Sequence, residues 1–137
     1  MDMKILGLLI ASYTPVMLLI HVTTSKILVA WKEHPASWIS LRFTPQRALR
    51  IEGVYWLLAL VAWPLWHAVI WKVLVALFAL IHLGIWGASE FMAGGEKESF
   101  FTTSPTMNQI IVAFDSVEAL VLAALEVVAV MFLIHPN

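Results

Sequence analysis

Apolar residues run on along most of this chain far past the length of a strand, and polar or proline-bearing stretches cut the runs into pieces. A helix crosses a bilayer with about 20 residues at 1.5 Å rise each. Residues 5–30 make the first such run, and Pro15 inside it predicts a kink. Residues 32–47 hold Pro35, Pro45 and several polar side chains, which predicts a connection without regular helix. Residues 51–91 are nearly all apolar and too long for one span. The segment Trp63-Pro64-Leu65-Trp66-His67 is the natural break, because Pro64 has no N–H to continue a helix. A competing break near Trp71-Lys72 has no turn residues. Gly94-Gly95 end the third run, and Glu96, Lys97 and Glu98 follow as a solvated loop. Ser104-Pro105 has the form of an N-cap followed by proline at the first helical position. The pattern therefore predicts an all-α integral membrane protein. The expected arrangement is a four-transmembrane-helix bundle in one domain, 1–137, with spans near 5–30, 50–63, 66–91 and 105–134.

The polar residues inside the runs sharpen this picture. The last run carries Asp115, Glu118 and Glu126, which fall within roughly 80° of one another at 100° per residue. Asn108 joins that stripe, while Ala113, Val117, Leu120, Ala124, Val128 and Met131 form a lipid-compatible opposite face. An acid at the centre of a membrane helix costs about 2.5–3.5 kcal/mol, and each large apolar residue returns only about 0.3–0.6. Three acids thus roughly cancel the apolar gain, so the stripe must face helices, a ligand, a metal, a partner or water. On the first run Thr14, His21, Thr24 and Ser25 share a side, against Leu8, Leu9, Val16, Leu19 and Ile27. On the third, Gly84, Gly87 and Ala88 are small enough for another helix to approach closely, which makes them the expected interface-packing residues.

Composition changes the class but not the plan. The chain has 137 residues, 61% hydrophobic and 12% charged, with seven Trp. Soluble domains are about half apolar and a quarter charged. A formal net charge of -1 offers no basic surface for nucleic acid. The absence of cysteine excludes disulfides, thiolate metal sites and cysteine nucleophiles. Residues 1–4 with one Lys resemble the start of a signal peptide, but no small-residue cleavage site follows, so the first run is read as a retained helix. Lys26, Lys32, Arg42, Arg47 and Arg50 gather in and beside residues 32–50. The positive-inside rule puts that connection in the cytoplasm and both termini outside, with Trp31, Trp38 and Phe43 at headgroup level.

Depth then brings residues together. His21 and His82 lie about 15 Å from the cytoplasmic ends of their helices, and Asp115 and Glu118 about 9–15 Å from the same side. Two histidines and two acids from three helices share one layer, with Glu126 deeper toward the outer face. Carboxylate–imidazole chains are the usual material of proton relays, so His21, His82, Asp115, Glu118 and Glu126 form a candidate proton or cation cluster. The alternative is redox or metal chemistry, in two forms. His21, His82, Asp115 and Glu118 have the mixed donors that suit copper, iron or zinc, and His21 with His82 could be axial ligands of a haem b. The bland reading is structural: each histidine bonds a backbone carbonyl, Glu52 and Glu90 snorkel to headgroups, and the acids meet a partner's cations. No P-loop, G-x-G-x-x-G, H-E-x-x-H, E-x-x-H or nucleophile elbow is present, and Asp115-x-x-Glu118 is a weak pattern. The expectation is a membrane subunit rather than an enzyme by itself, acting as a homo-oligomer or with other membrane subunits in the lipid bilayer.

Overall fold

The structure is a computed structural model that describes residues 2–91 and 104–135. Its first helix, α1 (Met3–Glu33), begins where the Asp2 side chain accepts from the Lys4 N–H, and it continues through Pro15 without a break. α2 (Trp38–Arg42) is a single turn capped by Ser37. α3 (Pro45–Val61) has Thr44 as its cap and proline at its first position. A 3₁₀ turn at Trp63–Leu65 holds Pro64 and leads into α4 (Val69–Phe91). α5 (Pro105–Ile134) starts from Ser104, whose hydroxyl accepts from the Met107 N–H. The chain therefore breaks at Pro64 and restarts at Ser104-Pro105, where the missing N–H and the cap dictate it.

α1 lies along α5, and α3 lies along α4, with α1 also touching α3. α1 and α5 are antiparallel: Gly7 of α1 meets Phe132 and Leu133 at the far end of α5, while Thr24 meets Asp115 near its start. Between the helices sit Ile10, Met17, Tyr55, Trp56, Leu122 and Leu125, all fully buried. The Trp66 indole donates to the Ala59 carbonyl at 2.8 Å, which ties the 3₁₀ turn back onto α3. Outward, the surface is apolar: Leu8, Leu19, Val22, Leu80, Val117 and Leu120 are all more than half exposed. A continuous apolar exterior of this kind is unfavourable in water and suits lipid. α1, α4 and α5 are long and apolar enough to cross a membrane.

Several details differ from the expectations above. The stretch 32–47 does contain regular helix, because Ser37 caps α2 and Ser40 Oγ anchors it to the Ala30 and His34 carbonyls, each at 2.8 Å. α3 starts at Pro45, ahead of the expected residue 50, burying Ala48 and Leu49. Ile27 is buried and Ser25 exposed, the reverse of the expected faces of α1. The expected loop at 94–103 lies outside the described residues. Among the described residues, no other helix packs against Gly84, Gly87 or Ala88. A Cβ at either glycine meets nothing within 4 Å, and Ala88 is exposed.

Close approach falls on Gly53 instead, where a Cβ would collide with the Trp86 indole at Cε3 and Cδ2. The indole has little freedom to yield, since its N–H is held by Glu90 at 3.1 Å. Gly53→Ala should therefore lower stability by about 1–3 kcal/mol through overpacking. Gly84→Ala, in open space, should be neutral or raise stability by up to about 1 kcal/mol through helix propensity. Thermal unfolding in mild detergent checks the pair; equal melting of the two variants would refute the α3–α4 contact.

Candidate functional site

Glu118 of α5 is fully buried, and its carboxylate is the centre around which three other helices converge. One oxygen, Oε1, accepts the Trp56 indole N–H at 2.8 Å. The other, Oε2, lies 3.2 Å from His21 Nε2 on α1 and 3.2 Å from His82 Nε2 on α4. The periodicity of each helix explains the inward aim. His21 continues the buried line of Thr14 and Met17, and His82 that of Val75, Phe78 and Ala79. On α3, Glu52 and Trp56 are one turn apart and face the same way, so Glu52 Oε2 comes 3.9 Å from His82 Nε2.

Both imidazoles are oriented in the same manner. His21 Nδ1 bonds the Met17 carbonyl at 2.7 Å, and His82 Nδ1 bonds the Phe78 carbonyl at 2.8 Å. A carbonyl only accepts, so each Nδ1 carries the hydrogen, and Nε2 is left to face the carboxylate. In the neutral tautomer, that nitrogen presents a lone pair to an oxygen that also presents lone pairs. His21 Nε2 and Glu118 Oε2 are close and fully buried, yet neither completes a hydrogen bond. Converging buried lone pairs are costly unless something positive lies among them.

The surroundings are aromatic on one side and open on the other. Trp56 stacks on Phe78 at 5.3 Å and on His82 at 5.7 Å, and Phe114 sits 6.1 Å from His82. A cavity of about 270 Å³ runs among the four long helices from the Trp31 and Phe43 end to Glu52, His82 and Asp115. Its walls are mostly apolar, so these three and Thr24 are its polar features. The Thr24 hydroxyl donates to Asp115 Oδ2. Among the described residues, the ion pairs of Glu52 and Glu118 are with histidine alone, never with Lys or Arg.

The candidates named from the sequence thus divide by place. His21, His82 and Glu118 meet, and their donor atoms all lie within 4.8 Å of one another. Asp115, expected in the same ligand set, sits apart, bonded to Thr24 on the cavity wall. Glu126 is partly exposed, two turns farther along α5, with a buried Oε2 that has no counted hydrogen-bond partner among the described residues. A haem between the two imidazoles would need the space that the Glu118 carboxylate fills. Periodicity and depth did not bring Glu52 and Trp56 to the cluster; their i, i+4 spacing was the available signal. Glu90 does not snorkel alone: Arg50 holds it at 2.6 Å and Gln46 at 2.7 Å, clamping α3 to α4. No family model, curated protein or solved structure matches the chain.

Proposed function

We propose that this chain is a four-span membrane protein, working as an oligomer or as a subunit of a larger membrane complex. Its His21–Glu118–His82 cluster handles protons or other cations entering from the cytoplasmic side. The observation that supports this most directly is the Glu118 carboxylate, fully buried and 3.2 Å from two imidazole nitrogens that point at it. Such a group, with no Lys or Arg paired to it among the described residues, calls for a mobile or bound positive charge.

Three further features support the reading. α3 has 17 residues, a length of about 25 Å, and short spans are accommodated by local thinning and snorkelling. α3 belongs in the bundle because its Trp56 and Glu52 complete the surroundings of Glu118 and His82. The cations of residues 32–50 support a cytoplasmic mouth for the cavity, by the positive-inside rule. Farther out, Thr14 and Tyr55 share a hydrogen bond at 3.0 Å and Glu126 follows, so polar groups continue beyond the cluster.

Reconstituted vesicles test this. Orientation is read from a cysteine placed at Ser37, which should react only from the cytoplasmic side. With an imposed pH gradient and a luminal pH dye, the wild type should conduct protons, and Glu118→Gln should reduce the rate at least about tenfold, as expected for loss of a relay group. Equal rates in the two proteins, with a proton gradient and with a Zn²⁺ or Co²⁺ gradient alike, would overturn the proposal.

A further inference from the structure

The same cluster has a more specific geometry than proton handling requires. We infer that His21 Nε2, His82 Nε2 and Glu118 Oε2 are three ligands of one divalent transition-metal ion of the zinc type, with a fourth position facing Glu52 and the cavity. This inference rests on the cation-handling reading and names the cation.

Spacing comes first. Ligands about 2.0–2.1 Å from zinc stand roughly 3.3 Å apart in a tetrahedron. Glu118 Oε2 stands 3.2 Å from each histidine nitrogen, and all three donors lie within 4.8 Å of one another. The two separations to Glu118 are already at coordinating spacing, and the third lies within 4.8 Å.

A buried pair of atoms that meets without a counted hydrogen bond points the same way. His21 Nε2 and Glu118 Oε2 are buried and, among the described residues, complete no hydrogen bond, although each sits beside the other. A metal ion would take up both lone pairs at once.

Outer support is in place as well. Metal-bound histidine characteristically gives its other ring N–H to a carbonyl or carboxylate, which fixes tautomer and ring angle. Both histidines do this, through Met17 and Phe78. Trp56 occupies Oε1 of Glu118 and leaves Oε2 as the free donor.

Donor chemistry selects the metal class. Two imidazoles and one carboxylate suit zinc, cobalt, copper or iron, whereas calcium and magnesium take mostly oxygen donors. Charge agrees: neutral imidazoles leave Glu118 and nearby Glu52 to balance a dication, with no Lys or Arg in ion-pair contact with either among the described residues. Glu52 Oε2 lies 3.9 Å from His82 Nε2, and both residues line the cavity, so the fourth position faces the cavity.

The test uses the full chain, stripped with chelator and titrated with Co²⁺ in mild detergent. Visible d–d absorption of tetrahedral strength should saturate at one Co²⁺ per chain and be displaced by Zn²⁺. His21→Ala and His82→Ala should each weaken binding at least about a hundredfold, and Glu52→Gln by about tenfold or less. Far-UV circular dichroism and elution size confirm that each variant is folded. Absence of binding at stoichiometric Co²⁺ and Zn²⁺, or binding that survives both histidine changes, would overturn the inference. Glu118-dependent proton flux in a protein that binds neither metal would do the same while leaving the broader proposal standing. Loss of both would remove the two together.

Discussion

Glu118→Ala should cost the fold about 3–5 kcal/mol, whereas Glu118→Gln should stay within about 1 kcal/mol of the wild type. The partners account for the difference. Alanine removes the acceptor of the Trp56 N–H and strands that donor in a buried site. It also takes away the group that faces both imidazole nitrogens at 3.2 Å. Glutamine keeps the volume, and its carbonyl oxygen can still accept from Trp56. Its amide can donate to an Nε2 lone pair, since each Nδ1 already holds the ring hydrogen. It gives up only the charge, and burying an amide is less costly than burying a carboxylate. Unfolding in a graded detergent or denaturant series measures the difference. An alanine variant as stable as the glutamine variant would mean that Glu118 is not held by these partners, and the cluster would fall as a structural unit.

Trp56→Ala should be nearly as damaging, at about 3–5 kcal/mol, because the side chain is large and fully buried. Its indole fills the space among Tyr55, Phe78 and His82 and carries the hydrogen bond to Glu118. Trp56→Phe separates these roles. It keeps most of the stacking and removes the N–H, so the expected loss is about 1.5–3 kcal/mol, the usual worth of a bond to a charged group. The partner can then be checked in a cycle. In a Glu118→Gln background, the Trp56→Phe penalty should shrink, since the acceptor is no longer charged. Penalties that simply add would show that the indole acts by packing alone.

These two residues illustrate what a linear reading can reach. The stripe of Asp115, Glu118 and Glu126 was legible because helical period and the cost of acids in lipid are local properties. Which acid occupies the centre was not. Asp115 and Glu118 are one turn apart on one face, so depth could not separate them. The register of α1 against α5 gives Glu118 to His21 and leaves Asp115 with Thr24. In the same way Glu52 and Glu90 looked alike as acids near helix ends. Pairing of α3 with α4 sets Glu52 beside His82 and Glu90 beside Arg50.

The glycines carry the same lesson from the opposite direction. Gly84 and Gly87 have the spacing of a close-packed face, yet they look outward, while Gly53 receives Trp86. Small size permits approach but does not choose which neighbour arrives.

By itself, then, the sequence determined the long apolar helices, the breaks at Pro64 and Ser104-Pro105, the acidic face of α5 and the buried polar line of Thr14, His21 and Thr24. Those follow from hydrophobic run length, proline geometry, capping and period, all of which act within one segment. Only the tertiary structure decided that Glu118 stands between His21 and His82, with Trp56 holding its other oxygen. A shift of one residue along a helix moves a side chain by about 1.5 Å and turns it by about 100°, so the meeting of four helices at one carboxylate depends on their mutual registers. Those registers are set by packing around Ile10, Met17, Tyr55, Leu122 and Leu125, and no single segment contains them.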